Sequence, residues 1–160
     1  MLTGGLVGIS CGILGANEVI MTDLKYALPL MQENVKRNKT LYAPNCRTID
    51  CKECDWLCPP PVTELFCNNN RPDVILVADC IWLVPLIAPL LRTLEVYAAD
   101  CTTVIIAYQQ RGNDSHREFW NGIHRIFDVV DVNTHEKFQL AKPDVFHVLE
   151  CTTKHRRDNN

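Results

Sequence analysis

The chain has 160 residues, of which 47% are hydrophobic and 22% are charged, and its formal net charge is −3. This length is enough for one domain with its own core, and the composition excludes an intrinsically disordered chain. The acidic balance gives no support to binding of nucleic acid or of a membrane surface. No apolar run approaches the roughly 20 residues of a membrane-spanning helix, so we expect a soluble, single-domain protein over residues 1–160, with a flexible tail at 153–160.

A glycine-rich stretch opens the chain at residues 3–16 and leads into a short strand pattern that ends at Asp23. Glycines before an apolar helix, followed by a strand with an acidic end, are typical of the second half of a nucleotide-binding β-α-β unit, in which the acidic residue binds ribose hydroxyls. Such a unit begins with a buried strand, yet only Met1 and Leu2 precede Thr3. We therefore expect a cofactor-binding domain that lacks its first strand.

Hydrophobic periodicity predicts alternating helices and strands along the whole chain. The predicted helices cover residues 5–14, 25–37, 83–97 and 115–126, with Leu6, Ile9 and Ile13 on one face of the first and Gly15 as its left-handed cap. The predicted strands cover residues 19–22, 46–51, 73–78, 102–108, 127–132 and 144–151.

The strand at 73–78 is an almost continuous apolar run, which is typical of a strand covered on both faces. Helices separate the early strands, whereas little separates the last two. This order predicts an α/β fold with a doubly wound, mostly parallel sheet and an antiparallel strand near the C-terminus.

Five of the nine cysteines fall in one stretch, namely Cys46, Cys51, Cys54, Cys58 and Cys67. Four thiolates at such spacings suit a tetrahedral zinc site, so a zinc-binding interaction protein remains an alternative. Against it, Cys67 has no close partner cysteine, and residues 46–51 alternate as a strand does. The odd cysteine total argues against a disulfide framework, and we expect no metal site.

Several short motifs follow one another in order along nearly the whole chain. They are Gly5-Leu-Val-Gly-Ile9, Thr22-Asp-Leu24, Asp55-Trp56, Ala78-Asp-Cys-Ile-Trp82 and Tyr108-Gln-Gln-Arg111. In this order and spacing the chain resembles the seven-strand (class I) S-adenosylmethionine-dependent methyltransferases, in particular the protein-lysine methyltransferase group called methyltransferase family 16. The resemblance implies a Rossmann-like fold and methyl transfer from S-adenosylmethionine to a protein side chain, for which we expect a lysine ε-amine.

The resemblance also implies which residues hold the cofactor. Thr3, Gly4 and Gly5 correspond to the glycine-rich loop, where backbone N–H groups near a helix start suit the cofactor's carboxylate. Asp23, with Leu24 beside it, corresponds to the acidic residue that binds the ribose hydroxyls. The alternative role for Asp23 is a cap on the next helix.

Further along the chain, Asp55 and Trp56 correspond to the pair beside the adenine, where a Trp face stacks and a polar neighbour contacts the ring edge. Ala78 is assigned to the cofactor site as well. For Trp56, ordinary core packing is the alternative.

Asp79 and Trp82 match the family's acidic residue and the aromatic residue three positions later, which is usually Tyr. A carboxylate at the end of a central strand attracts a substrate amine, and a Trp face holds an ammonium by cation–π attraction. A helix cap is the alternative for Asp79, and plain packing is the alternative for Trp82. We expect Asp23, Trp56 and Asp79 to converge at one rim of the sheet.

This chemistry needs positioning and a desolvated slot rather than a catalytic triad, because methyl transfer from a sulfonium to a neutral, aligned amine needs little acid or base help. The five histidines (His116, His124, His135, His147 and His155) fit no catalytic spacing, and we expect structural or exposed roles. The expected partner is a protein substrate in the cytoplasm or nucleus. A second alternative is a methyltransferase-fold module that binds no cofactor.

Overall fold

The computed structural model describes residues 4–66, 70–132 and 145–154. The chain divides into two compact units, Met1–Pro60 (unit 1) and Pro61–Asn160 (unit 2). The single domain expected from the sequence stays a prediction, and each unit is described by itself. No helix in the described ranges is long and apolar enough to cross a membrane.

Unit 1 is built on two strands and the helices that connect them. Its elements are α1 (Leu6–Ile13), β1 (Glu18–Asp23), a 3-10 turn (Lys25–Ala27), α2 (Leu28–Arg37), α3 (Lys39–Tyr42) and β2 (Thr48–Glu53). The two strands are parallel, with Asp23 opposite Glu53 at their carboxyl ends. Because the N–H groups of Asn45 and Cys46 both still bond to the Tyr42 carbonyl at the end of α3, β2 begins two residues later than predicted.

Glycines determine how α1 packs in unit 1. A Cβ added at Gly8 would lie 2.4 Å from Met21 Sδ, and one added at Gly12 would lie 2.8 Å from Ile49 Cδ1. The glycine side of the helix therefore contacts the strands. Of the three apolar residues predicted to share one face, Ile9 is buried, whereas Leu6 is 67% exposed and Ile13 is exposed too. Gly15 is left-handed, as predicted.

The described residues of unit 2 form four strands in one sheet. Its elements are α4 (Val62–Leu65), β3 (Val74–Ala78), α5 (Val84–Tyr97), β4 (Thr103–Gln109), α6 (Asn113–Ile126), β5 (Phe127–Asp131) and β6 (Phe146–Thr153). The strand order is β3-β4-β6-β5, with β3 parallel to β4. Strand β6 is antiparallel to both of its neighbours, which confirms the predicted antiparallel strand near the C-terminus.

The C-terminal strand runs further than the sequence suggested. Thr153 was expected to begin a flexible tail, but it belongs to β6 and pairs with Phe127. Lys154 Nζ donates a hydrogen bond of 2.5 Å to the His124 carbonyl. Residues 155–160 lie outside the described residues.

The core of unit 2 is centred on β4 and β6, whereas β3 is more open than predicted. Ile106 and Leu149 face each other across these two strands, and both are completely buried. On β3 only Val77 is buried, and Leu76 is 40% exposed. The prediction of a strand covered on both faces is therefore wrong here. In the described part of the chain, β3 pairs with β4 alone, so its other edge has no neighbouring strand.

Truncating leucine side chains in unit 2 tests this core. We expect Leu149→Ala to lower the free energy of unfolding by about 2–5 kcal/mol, because it leaves a cavity among fully buried side chains. Leu76→Ala removes the same atoms from an exposed position, and we expect a cost of at most about 1 kcal/mol. Urea unfolding measures both, and equal costs would contradict the open face of β3.

Candidate active site

The glycine loop before α1 has the backbone geometry that the resemblance requires. Gly4 and Gly5 both have left-handed φ angles, of 55° and 89°. A side chain at Gly5 would be strained by this φ angle, and its Cβ would lie 2.9 Å from Met21 Cε, so the end of the Met21 side chain would have to move. Asn34 Nδ2 donates a hydrogen bond of 2.9 Å to the Gly4 carbonyl and anchors the loop to α2. Thr3, the third predicted loop residue, lies outside the described residues.

Asp23 ends β1 with a partly exposed side chain. Its Oδ1 accepts a hydrogen bond of 2.7 Å from the N–H of Leu24. The next turn starts after Leu24 and has no side-chain cap, so the alternative role of Asp23 as a helix cap is not observed. The Asp23 carbonyl accepts a hydrogen bond of 3.0 Å from the N–H of Cys54, which ties the carboxyl ends of β1 and β2 together.

Asp55 and Trp56 form a tight turn directly after β2. Asp55 Oδ1 accepts a hydrogen bond of 2.9 Å from the N–H of Leu57, and the Asp55 carbonyl accepts one of 3.0 Å from the N–H of Cys58. Trp56 is half-buried and does not belong to the core of unit 1. Unit 1 therefore carries Asp23 and the Asp55–Trp56 pair at the same end of its two strands.

Ala78 and Asp79 lie at the carboxyl end of β3. Ala78 pairs with Ala107, and the Asp79 N–H donates a hydrogen bond of 2.7 Å to the Ala107 carbonyl. The backbone of Asp79 is left-handed, with a φ angle of 55°, and no other described non-glycine residue has a positive φ. Helix α5 begins only at Val84, so the alternative role of Asp79 as its cap is not observed. Trp82 is 51% exposed, which argues against plain core packing.

Arg111 is the residue of this region that the sequence motifs did not assign a role. Its guanidinium forms an ion pair with the Asp79 carboxylate. The two residues are 32 positions apart, but one follows β3 and the other follows β4. The pair could have been predicted from the sequence, because the carboxyl ends of neighbouring parallel strands meet at one edge of a sheet.

A stack of rings links α6 to the sheet of unit 2. The rings of His116 and His147 are stacked with centroids 4.9 Å apart, and His147 also stacks on Tyr108 at 5.0 Å. His116 Nδ1 shares a hydrogen bond of 2.9 Å with the Tyr108 hydroxyl, and its ring stacks on Trp120. Burial raises the pKa of Tyr108, and Asp131 raises it further. The structural role expected for His116 and His147 agrees with this stack.

The protonation of His116 is coupled to this stack. Burial lowers the pKa of His116 below its ordinary value of 6.5, and the neighbouring His147 lowers it further. In turn, His147 Nδ1 lies 4.0 Å from a carboxylate oxygen of Asp131, and His147 Nε2 lies 3.4 Å from Gln110 Oε1. A neutral His116 can accept the Tyr108 hydroxyl proton in a hydrogen bond, whereas a protonated one cannot.

The cysteine cluster forms no metal site in the described ranges. Cys46 is buried, and its thiol donates a hydrogen bond of 3.2 Å to the Thr48 carbonyl. Cys58 is exposed and Cys67 lies outside the described residues. No group of three or more His, Cys, Asp or Glu side chains that could hold a metal occurs among residues 4–66, 70–132 and 145–154.

Asp23, Asp55 and Trp56 belong to unit 1, whereas Asp79, Trp82 and Arg111 belong to unit 2. The structure places each set at the carboxyl ends of parallel strands within its own unit. The convergence of the two sets at one rim stays a prediction.

The His116 stack predicts a loss of stability in acid. Between its depressed folded-state pKa and 6.5, the unfolded state binds the proton more readily, so the free energy of unfolding falls as the pH falls through that window. Urea unfolding between about pH 7.5 and about pH 5.5 measures this slope. We expect His116→Gln to flatten it, while His124→Gln, at an exposed position of the same helix, leaves it unchanged. An equal slope in wild type and His116→Gln would contradict the coupling.

Comparisons with known proteins agree with the motifs. The family model described as lysine methyltransferase matches residues 3–126. The chain is 26% identical to the protein-lysine N-methyltransferase EFM6 of Saccharomyces cerevisiae, over 94% of this chain and 63% of that protein. It is 29% identical to the protein-lysine methyltransferase METTL21E of Mus musculus, over 81% of this chain and 51% of that protein. The chain thus spans less than two thirds of these relatives.

Solved structures show the same fold. A TehB-like SAM-dependent methyltransferase from Corynebacterium glutamicum matches with a TM-score of 0.62 and 14% identity, over 96% of this chain and 77% of that chain. The predicted α/β, Rossmann-like fold of the methyltransferase type is therefore confirmed. Because the family model matches well over half of the residues, the chain belongs to the lysine methyltransferase family.

Proposed function

We propose that this chain transfers a methyl group from S-adenosylmethionine to the ε-amine of a lysine in a protein substrate. The names of its curated relatives, which are protein-lysine methyltransferases, support this activity and this substrate class. The structural observation that carries the proposal is the end of unit 1, where a side-chain-free loop and a terminal carboxylate flank the same strand. Gly5 contacts Met21, two residues before Asp23.

The residues of unit 1 fit the proposed cofactor. The left-handed backbone at Gly4 and Gly5, without Cβ atoms, leaves room for close approach of a ligand to the loop before α1. Asp23 is a partly exposed carboxylate with two acceptor oxygens, the number that a ribose diol needs. Asp55 and the half-buried Trp56 supply a polar group and an aromatic face beside it. These residues hold the cofactor in the proposal.

Asp79 and Trp82 are the proposed contacts of the substrate lysine. Asp79 presents a carboxylate that attracts an amine, and Trp82 has an open aromatic face that holds the side chain. Where the family usually has Tyr, Trp82 offers an indole N–H and no phenol. Ala78 lies directly before Asp79 at the end of β3, and its assignment to the cofactor site stays a prediction from the resemblance.

When bound, S-adenosylmethionine would supply the methyl group of its sulfonium to the lysine nitrogen, and S-adenosylhomocysteine would be the leaving group, keeping the electron pair of the broken C–S bond. The attacking nitrogen needs a free lone pair, so the lysine must first lose a proton to water. The chain contributes orientation: Trp82 and Asp79 fix the amine, and alignment of the reacting atoms accounts for much of the rate. No acid or base residue is required in this scheme.

The expected location and partners belong to the same proposal. Protein-lysine methylation at a soluble substrate suits the cytoplasm or the nucleus. A protein is the proposed partner, and the net charge of −3 gives nucleic acid no electrostatic advantage.

Cofactor binding is tested by calorimetry with S-adenosylmethionine. We expect Asp23→Ala to weaken binding by about 10- to 100-fold, because hydrogen bonds to a charged carboxylate contribute about 1.5–3 kcal/mol. Asp50→Ala, which removes an exposed carboxylate from β2, is the matched control and should bind as the wild type does. The alternative, a module that binds no cofactor, predicts no heat of binding for the wild type or for either variant.

Methyl transfer is tested with lysine peptides and a labelled methyl donor, with arginine replacing lysine in the control peptides. We expect Trp82→Ala to lower kcat/KM about two- to thirtyfold, since a cation–π contact contributes about 0.5 kcal/mol at an exposed site and about 2 kcal/mol when it is desolvated. Trp82→Tyr restores an aromatic face and should stay within a few-fold of wild type. Leu83→Ala, at the next exposed position, serves as control. Equal loss in Leu83→Ala and Trp82→Ala would contradict the assigned role of Trp82.

A further inference from the structure

The ion pair between Arg111 and Asp79 is a contact of unit 2 that the proposed function leaves unused. Arg111 follows β4 and Asp79 follows β3, so the two side chains come from the carboxyl ends of neighbouring parallel strands. Both remain accessible, with 44% of the Arg111 side chain and 31% of the Asp79 side chain exposed. A ligand can therefore approach the pair from solvent.

The backbone fixes the position of the Asp79 carboxylate. Asp79 adopts a left-handed conformation that non-glycine residues rarely take, and its N–H is held at 2.7 Å from the Ala107 carbonyl. Such conformations persist when the surrounding structure determines them. The backbone of Asp79 is therefore anchored on the β3–β4 ladder, and Arg111 pairs with its carboxylate from the residue that follows β4 by two positions.

A carboxylate beside a substrate lysine creates a chemical problem. An opposite charge within about 4–6 Å raises the pKa of an amine by about one to three units, because it stabilises the ammonium. The ammonium has no lone pair and cannot accept a methyl group. Asp79 alone would thus attract the substrate and at the same time keep it in the unreactive protonation state.

We propose that Arg111 offsets the charge of Asp79, so that a lysine bound beside Asp79 loses its proton to water closer to neutral pH. This inference rests on the proposed function, and it assigns Arg111 as a positioning and charge-balancing residue that does not touch the reacting atoms. Arginine suits this task because its guanidinium stays protonated and cannot exchange its proton with the substrate amine.

Several other titratable groups on the elements around this pair have described partners of their own. Tyr108 pairs with His116, His147 with Asp131, and Asp114 with Arg117. Beside Asp79, the Cys80 thiol donates to the Ala78 carbonyl at 3.4 Å. In the described part of unit 2, Arg111 is the cation that salt-bridges to Asp79.

The test measures the pKa of a bound lysine directly. A peptide with a ¹³C-labelled lysine side chain is titrated by NMR in the presence of wild type, Arg111→Gln, Arg111→Lys and Arg117→Gln. Arg117→Gln is the matched control, because it removes an exposed arginine that also pairs with an aspartate. We expect Arg111→Gln to raise the lysine pKa by about one unit. Arg111→Lys keeps the charge and should stay near the wild-type value, as should Arg117→Gln.

Kinetics give an independent readout that a purely structural role would not change. In Arg111→Gln the acid limb of kcat, which reports ionisation within the enzyme–substrate complex, should move to higher pH by the same shift, and at neutral pH kcat should fall while KM does not rise. Arg111→Lys should keep the acid limb at its wild-type pH, because it keeps the positive charge. Asp79→Asn, which removes the charge that Arg111 offsets, should lower the lysine pKa.

Failure of this inference differs from failure of the proposed function. If the peptide binds but its lysine has the same pKa with wild type and Arg111→Gln, the role of Arg111 is overturned. A uniform loss of rate without movement of the acid limb also overturns it, as does an unchanged lysine pKa in Asp79→Asn. If the wild-type chain neither binds lysine peptides nor transfers a methyl group, the proposed function itself is contradicted.

Discussion

Parallel pairing of neighbouring strands is the constraint on which the rest of this structure depends. A parallel pair cannot be closed by a tight turn, so the chain must return through a helix and present the end of each strand at the same edge. In unit 1 this brings Asp23 and Asp55 to one end of β1 and β2. In unit 2 it brings Asp79 and Arg111 to one end of β3 and β4. Residues that are far apart in sequence thereby become chemical neighbours.

The same glycines serve the fold and the candidate cofactor site. Gly8 and Gly12 let α1 approach Met21 and Ile49 so closely that a Cβ at either position would require the neighbouring side chain to move. Gly5, one turn earlier, contacts the end of the Met21 side chain and lies in the left-handed loop. Packing of α1 against the strands therefore also fixes the loop that is proposed to receive the cofactor. A change at this contact would affect the stability of unit 1 and the shape of the loop together.

Local patterns in the sequence were sufficient to predict most of the elements. The 3.6-residue period of α6, the β-branched run of β4 and the left-handed Gly15 are set by neighbours in the chain, so the sequence alone could indicate them. The exposure of Leu76 was not predictable, since an apolar strand has the same composition whether or not another element covers it.

Long-range contacts were the main part of the candidate site that sequence reasoning missed. The Arg111–Asp79 pair and the stack of Tyr108, His116 and His147 join residues from different elements. No spacing along the chain signals that a histidine on β6 lies opposite Tyr108 on β4. The antiparallel register of β4 and β6 places His147 opposite Tyr108, so the pair can be inferred only once that register is known.

The electrostatics around Asp79 also explain why a compensating cation is useful in the proposed reaction. A carboxylate and an aromatic face both favour an ammonium over a neutral amine. Desolvation has the opposite effect on the amine pKa, but Trp82 is about half exposed, so burial at this end of unit 2 is incomplete. Of the described groups in contact with Asp79, the guanidinium of Arg111 is the one that favours the neutral amine. Binding of a lysine ammonium is strengthened by the negative charge of Asp79, whereas the reaction requires the neutral amine, which that charge disfavours. The fixed positive charge of Arg111 beside Asp79 reduces this conflict.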